Sequence, residues 1–141
     1  MIIVDTNVVS AAMNGHEPGV ADWLDTRPIS SLYFTSIGVG ELLLGARLLP
    51  AGRRQEGLLD AIEATLSRYF GERILPYDIH AATNYALITS NARAAGRTVL
   101  MADAQIAAIA LSNGFKVATR DKAPFTAAGL QVIDPWTAPL Y

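Results

Sequence analysis

Short apolar runs alternate with longer segments of helical periodicity along the whole chain. The runs show little polar alternation, which is typical of strands buried on both faces of a sheet. The predicted strands are Met1–Val4, Leu32–Phe34, Ile74–Leu75, Lys116–Thr119 and Gln131–Ile133. Because strands and helices alternate from end to end, we predict an α/β fold with a short, mainly parallel sheet flanked by helices.

Six helices are predicted between these strands. They span Val8–Met13, Gly19–Asp25, a segment from Ser36 to about Leu49, Arg54–Phe70, a segment from Asp78 to Ala95, and Asp103–Ser112. The predicted N-caps are Asn7, Ser36 and Asp78, and the first and the last two helices end at asparagine or glycine. In such folds the ligand site lies beyond the carboxyl ends of the strands.

Length and composition predict one domain over residues 1–141 with one good core. Hydrophobic residues make up 51% of the chain, and the mean hydropathy is +0.27. No run approaches about 18 apolar residues, and no basic segment precedes an apolar stretch at the N-terminus, so we expect neither a membrane span nor a signal peptide. The apolar surplus favours a protein partner or self-association.

The absence of cysteine excludes disulfides and thiolate metal sites, and it fits a cytoplasmic protein. The formal net charge is −2. Proteins that bind nucleic acid unaided are usually basic. Any nucleic-acid contact of this chain therefore needs a local basic patch, a metal ion or a basic partner.

Four of the 13 acidic residues lie in apolar settings. Asp5 directly follows the first strand, and Asp121 follows the strand Lys116–Thr119 with one residue between. Glu41 and Asp103 lie in the first turns of apolar helices. All four can therefore meet at one edge of the sheet.

Carboxylates that meet at such an edge need a cation. Two of them about 4 Å apart repel by roughly 4 kcal/mol at an effective dielectric constant near 20. Oxygen ligands suit Mg²⁺ or Mn²⁺ better than Zn²⁺. Such a cation keeps bound water and binds phosphate, so the pattern favours phosphodiester hydrolysis.

Each acid also has a simpler interpretation. Asp5 and Asn7 fit an Asx-turn and a helix cap, Asp103 fits a charge at a helix N-terminus, and Asp121 fits a turn. Glu41 is the hardest to explain in this way, because it lies in an apolar helix among glycines and glutamate is rarely buried unpaired.

The four acids lie in the segments IIVDTNVVS, TSIGVGELLLGA, MADAQIAAIA and VATRDKAPF, and the chain closes with GLQVIDPW. In order and spacing this sequence resembles the PIN-domain ribonucleases over nearly its whole length, and specifically the VapC-type toxins of prokaryotic toxin–antitoxin pairs. It looks most like the FitB branch, which carries Asp at the fourth position and a VI-x-PW ending. Many VapC-type members have Asn there, so the resemblance specifies Asp121 less firmly than the other three acids.

The resemblance implies a PIN-like fold and Mg²⁺- or Mn²⁺-dependent endonucleolytic cleavage of RNA. Asp5 and Asp103 would hold the metal, and Glu41 would complete the site directly or through water. Asp121 would bind a second metal ion or orient the attacking water.

The resemblance and the neighbouring sequence suggest further site residues. Asn7 and Thr119 are candidates for fixing the carboxylates. Arg120 and Lys122 flank Asp121 and are candidates for contact with the RNA backbone, with a solvated surface as the alternative.

The family resemblance also implies partners. The chain would be a homodimer and the toxin of a type II system, blocked by a cognate VapB-like antitoxin. The antitoxin would have a DNA-binding N-terminal part and a C-terminal tail that wraps the toxin. Operator DNA would then be contacted only through the antitoxin.

Two other functions stay open from the residues alone. A phosphatase or phosphotransferase could use Asp5 as a nucleophile, although Asn7 stands where the common D-x-D arrangement needs a second Asp. A metal-stabilised interaction module could act with a DNA-binding partner and have little or no nuclease activity.

Overall fold

The sheet is built from five short strands in this computed structural model, which describes residues 1–140. They are β1 (Ile2–Val4), β2 (Leu32–Thr35), β3 (Ile74–Leu75), β4 (Lys116–Ala118) and β5 (Val132–Ile133). Every pairing among them is parallel, in the order β3-β2-β1-β4-β5. The helices are α1 (Thr6–Asn14), α2 (Pro18–Asp25), α3 (Ser36–Arg47), α4 (Arg53–Tyr69), α5 (Ile79–Ala94), α6 (Met101–Asn113) and α7 (Lys122–Ala127). The predicted α/β fold with a parallel sheet is confirmed, and the predicted domain end, Tyr141, lies outside the described residues.

Helices cover both faces of the sheet, so the structure has two apolar cores. Ile2 and Val4 of β1 face the core formed with α1 to α4, where Trp23 and Phe34 are fully buried. Ile3 faces the opposite core, which is formed with α5, α6 and α7. This alternation explains why β1 is apolar at every position.

The central strand β1 is where the direction of winding reverses. The chain runs outward from β1 to β2 and β3, and later returns to place β4 and β5 on the other side. Val4 pairs with Ala118, and the Asp5 amide donates to the Ala118 carbonyl at 2.9 Å. The crevice beyond this point is where open parallel sheets bind ligands.

Two predicted helix caps are wrong by one or two residues. α1 begins at Thr6 with Asp5 as its N-cap, so the predicted cap Asn7 lies inside the helix. α3 has Thr35 as its N-cap, and Ser36 is its first residue. In both cases the last residue before the helix supplies the capping oxygen. The predicted cap Asp78 is confirmed, since it accepts from the Ala81 amide at 2.9 Å.

The structure adds a helix that the pattern did not predict and moves the start of another. α7 has six residues and lacks a side-chain cap. α6 begins two residues before the predicted Asp103, after Leu100, which has no capping side chain. Both starts were missed because they lack the local signal from which a helix start is inferred.

Over the described residues 1–140, none of the helices is both long and apolar enough to cross a membrane.

Gly38 is required by a close approach of α3 to β2. A Cβ added at Gly38 would lie 2.5 Å from Cζ of Phe34. The Phe34 ring is fully buried and stacks on Phe70 with ring centroids 5.1 Å apart. The ring therefore has no free space into which to move.

We expect Gly38→Ala to lower the free energy of unfolding by about 1–3 kcal/mol, because it overpacks the core. Gly40→Ala is the matched control in the same helix, where an added Cβ meets no atom within 4 Å. It should raise stability by about 0.5–1 kcal/mol, since alanine loses less backbone freedom on folding. Urea denaturation followed by circular dichroism measures both, and equal stability of the two variants would contradict the close contact.

Candidate active site

A cavity of about 460 Å³ opens beyond the carboxyl ends of β1 and β4. It is lined by Asp5, Thr6, Asn7, Ser10, Ala11, Asn14, Glu17, Glu41, Asp103, Arg120, Asp121 and Trp136. The structure thus brings the four predicted acids together, with Asn7 and Arg120 beside them. Lys122 is not part of this lining.

Asp5 is the most deeply placed of these acids, with only 4% of its surface exposed. Its Oδ1 accepts a hydrogen bond from the Thr6 amide at 2.8 Å. Its Oδ2 accepts one from the Thr119 hydroxyl at 2.7 Å. Both oxygens are therefore held in fixed positions at the end of the central strand.

The Thr119 hydroxyl joins three parts of the site. Besides donating to Asp5, it accepts from Nδ2 of Asn7 at 3.2 Å and from the Asp121 amide at 3.0 Å. Thr119 is fully buried. The two residues predicted to fix the carboxylates thus contact each other, and Thr119 links the ends of β1 and β4.

Glu41 reaches the cavity from α3. Its Oε1 accepts a hydrogen bond from the Thr6 hydroxyl at 2.7 Å. Thr6 therefore contacts two of the four acids, through its amide to Asp5 and its hydroxyl to Glu41.

Asp103 and Asp121 are less constrained. Asp103 lies in the first turn of α6, and Asp121 immediately precedes α7. Within residues 1–140 neither carboxylate accepts a hydrogen bond that would fix it. Each can therefore rotate toward a ligand in the cavity.

Two of the acids, Asp103 and Asp5, have raised pKa values. Burial raises the pKa of Asp103 to about 6, and the charges of Asp5, Asp121 and Glu41 add to that rise. Burial also raises the pKa of Asp5, although its hydrogen bonds from Thr119 and Thr6 oppose the shift. In both Asp103 and Asp5, burial is the largest cause of the raised pKa, and the neighbouring like charges add to it.

The donor chemistry of the cavity fits a hard divalent cation. Its charged donors near Asp5 are carboxylate oxygens, which Mg²⁺ and Mn²⁺ prefer. Oδ1 of Asn7 is buried without a hydrogen-bond partner, so the cavity wall also holds an unsatisfied acceptor. A cation would remove the repulsion that adds to the rise of the two pKa values. As they stand, no three His, Cys, Asp or Glu side chains in residues 1–140 are grouped closely enough to hold a metal ion.

The two predicted basic contacts differ in their surroundings. Arg120 lies on the cavity, with its guanidinium 4.7 Å from the centre of the Trp136 ring and 3.8 Å from a carboxylate oxygen of Glu17. Lys122 pairs instead with Asp134 at 3.4 Å, outside the cavity lining.

Sequence reasoning missed several residues of the cavity wall. Thr6, Glu17 and Trp136 line the cavity but were not among the predicted site residues. One signal was present in the sequence: Asn7, Ser10 and Asn14 recur at spacings of three and four within an apolar helix, which places polar groups on one face of α1. Nothing comparable in the sequence marks Glu17 or Trp136.

Comparisons with known proteins find similar proteins over nearly the whole chain. The family described as PIN domain matches residues 2–129. Plasmid stability protein StbB of Pseudomonas syringae pv. tomato is 48% identical over 140 residues, covering 98% of this chain and 100% of that protein. VapC ribonuclease Y4jK of Sinorhizobium fredii is 39% identical over 137 residues, covering 96% of this chain and 98% of its own.

A third relative is known in sequence and as a solved structure. Toxin FitB of Neisseria gonorrhoeae is 39% identical over 137 residues, covering 96% of this chain and 99% of its own. The crystal structure of FitAcB from the same organism superposes with a TM-score of 0.89 at 38% identity, over 98% of this chain and 100% of the other.

We expect Thr119→Val to lower the free energy of unfolding by about 1–3 kcal/mol, because it leaves buried partners of the hydroxyl unsatisfied. Thr119→Ser keeps the hydroxyl and is the matched control, so its free energy of unfolding should fall less than that of Thr119→Val. Urea denaturation of both proteins provides the measurement. A valine variant as stable as the serine variant would show that the hydroxyl is dispensable.

The raised pKa of Asp103 predicts a pH dependence of stability in metal-free protein. The folded state holds the Asp103 proton more tightly than the unfolded state does, so this contribution is present at low pH and is lost as pH rises through about 6. Asp103→Asn should therefore raise the melting temperature more at about pH 8 than at about pH 4.5. Asp60→Asn, at an exposed position outside the cavity lining, is the control. An equal gain from Asp103→Asn at both pH values would contradict the shift.

Proposed function

Because the chain belongs to the PIN-domain family, we propose that it is a metal-dependent endoribonuclease that serves as the toxin of a type II toxin–antitoxin pair. The observation that carries this proposal is the single cavity lined by Asp5, Glu41, Asp103 and Asp121. The curated names of two relatives, a VapC ribonuclease and Toxin FitB, support the reaction and the role.

In this proposal Asp5 and Asp103 hold Mg²⁺ or Mn²⁺, and Glu41 completes the site directly or through water. When bound, the cation would neutralise the charge of the phosphodiester and lower the pKa of a bound water. The fixed position of Asp5 supports its role as the anchoring ligand, since both of its oxygens are oriented by hydrogen bonds.

Asp121 has the remaining role. Its carboxylate is unconstrained in the described part of the chain, while its amide is held by Thr119. We assign it either to a second cation or to orienting the attacking water and accepting its proton. The water oxygen then bonds to phosphorus, the P–O bond of the ester breaks, and the leaving oxygen is protonated from solvent.

A second cavity supports the proposed antitoxin partner. It has a volume of about 400 Å³ and lies between α1, α3 and α4. Its apolar lining includes Met13, Leu42 and Ile62, and it shares Thr6 and Glu41 with the carboxylate cavity. An antitoxin tail seated there would reach the site that it blocks. DNA contact would come from the antitoxin, since this chain carries a net charge of −2.

Exposed apolar side chains support the proposed homodimer. Ile79 and Leu87 on α5 and Leu100 and Met101 at the start of α6 each leave more than half of their surface exposed in the isolated chain. Burial of such side chains is the usual driving force for self-association.

The first experiment is cleavage of labelled RNA by the purified, partner-free chain with Mg²⁺ or Mn²⁺. We expect discrete fragments from the parent and a loss of roughly a thousandfold in Asp5→Asn, because the anchoring ligand is removed. EDTA should abolish cleavage, and added Mg²⁺ or Mn²⁺ should restore it.

Two controls make the result specific. Asp60→Asn removes an exposed acid outside the cavity and should cleave like the parent. Thermal melting should show that Asp5→Asn is folded. Cleavage by Asp5→Asn at the parental rate, or full activity in EDTA, would refute the site. If the parent is folded and binds metal but cleaves no RNA, the interaction module is favoured instead.

A further inference from the structure

Three residues from distant parts of the chain meet on the wall of the carboxylate cavity. Glu17 precedes α2, Arg120 lies between β4 and α7, and Trp136 follows β5. The Arg120 guanidinium lies over the Trp136 ring, 4.7 Å from its centre. Glu17 joins the other two, since one carboxylate oxygen pairs with Arg120 at 3.8 Å and the other accepts from the indole N–H.

The Trp136 ring is itself held in place. Its inner side packs against the core formed by α1 to α4. Its backbone amide donates to Asp134 at 2.9 Å, and Asp134 pairs in turn with Lys122. The ring is therefore a fixed support for the guanidinium, and Lys122 contributes to that support through Asp134.

Arg120 is poorly placed to act by charge alone. Glu17 offsets its charge, and in residues 1–140 the cavity lining holds five acidic residues and Arg120 as the one basic residue. However, 61% of the Arg120 side chain is exposed. The side chain thus lies over Trp136 and still leaves most of its surface exposed at the cavity. Guanidinium planes are groups on which nucleic-acid bases stack.

We propose that Arg120, held by Trp136 and Glu17, is a base-stacking residue that receives the nucleotide next to the scissile phosphate. This inference rests on the proposed ribonuclease function and adds a specificity-determining contact to it. It requires a nucleotide whose base is free to unstack, so it selects single-stranded RNA at that position. The base adds a third layer above the indole and the guanidinium.

The test uses an RNA oligonucleotide that the parent cleaves at one mapped bond. Each of the two nucleotides flanking that bond is replaced in turn by an abasic residue. We expect the parent to lose roughly tenfold in kcat/KM at one of the two positions, mainly through KM, as is typical of a lost stacking contact.

Variants of Arg120 separate stacking from charge. Arg120→Ala should lower kcat/KM roughly tenfold on the intact RNA. On the abasic RNA it should lower kcat/KM no further than the missing base already does. Arg120→Lys should behave like Arg120→Ala, because an ammonium keeps the charge but has no planar face. Arg54→Ala removes an exposed positive charge outside the cavity lining and should match the parent. Melting temperatures check that every variant is folded.

A binding measurement gives a readout that does not depend on turnover. The same RNAs are titrated into chains that carry Asp5→Asn, with and without Arg120→Lys, and Kd is followed by fluorescence anisotropy. We expect the abasic substitution to weaken binding only where Arg120 is present.

Each outcome decides the matter. A parent that cleaves intact and abasic RNAs equally, or an Arg120→Lys variant that matches the parent, would overturn the stacking role and leave the ribonuclease function standing. Equal losses by Arg120→Ala on intact and abasic RNA would identify a phosphate contact instead and would also overturn it. A parent that cleaves no RNA would overturn both.

Discussion

The buried carboxylate of Asp5 is the constraint on which the rest of the site depends. It lies at the end of the central strand with 4% of its surface exposed, where an unpaired charge would be strongly disfavoured. Thr6 and Thr119 satisfy its two oxygens. These two hydrogen bonds also define the local architecture, because one starts α1 and the other ties β1 to the end of β4. The same contacts that make burial tolerable therefore aim the carboxylate at the cavity.

The other three acids are held progressively less tightly. Glu41 has one hydrogen bond, from Thr6, while Asp103 and Asp121 have none to fix their carboxylates in the described residues. Their shared repulsion helps to raise the pKa of Asp103 to about 6, although burial is the larger cause. A group of like charges brought together by the fold opposes stability, and it is retained here at the place where a parallel sheet binds ligands. Because the four acids lower stability and lie where such sheets bind ligands, a functional role is favoured over a structural one.

The cavity offers two kinds of contact, one through its charged acids and one through the stacked side chains of Arg120 and Trp136. Its acids suit a cation, whereas the charge of Arg120 is offset by Glu17 and its guanidinium lies over Trp136. The proposed RNA substrate would gain little affinity from such a surface without a cation, so the proposed stacking on Arg120 would be a further source of affinity. The apolar groove beside Glu41 offers a different kind of contact, suited to a protein segment. The proposed RNA substrate and the proposed antitoxin tail would thus approach the same acids from different sides.

The sequence by itself determined the α/β class, the parallel sheet and the four acids, because apolar runs, helical periodicity and carboxylates in apolar settings are local patterns. It placed two caps one or two residues too late, since Asp5 and Thr35 each stand beside another residue that can cap a helix. It missed α7, because that helix has no side-chain cap. Only the tertiary structure revealed that Thr119 joins Asp5, Asn7 and Asp121, and that Glu17, Arg120 and Trp136 meet. Those contacts link residues up to 119 positions apart. Their partners are chosen by the winding of the sheet, which no local pattern records.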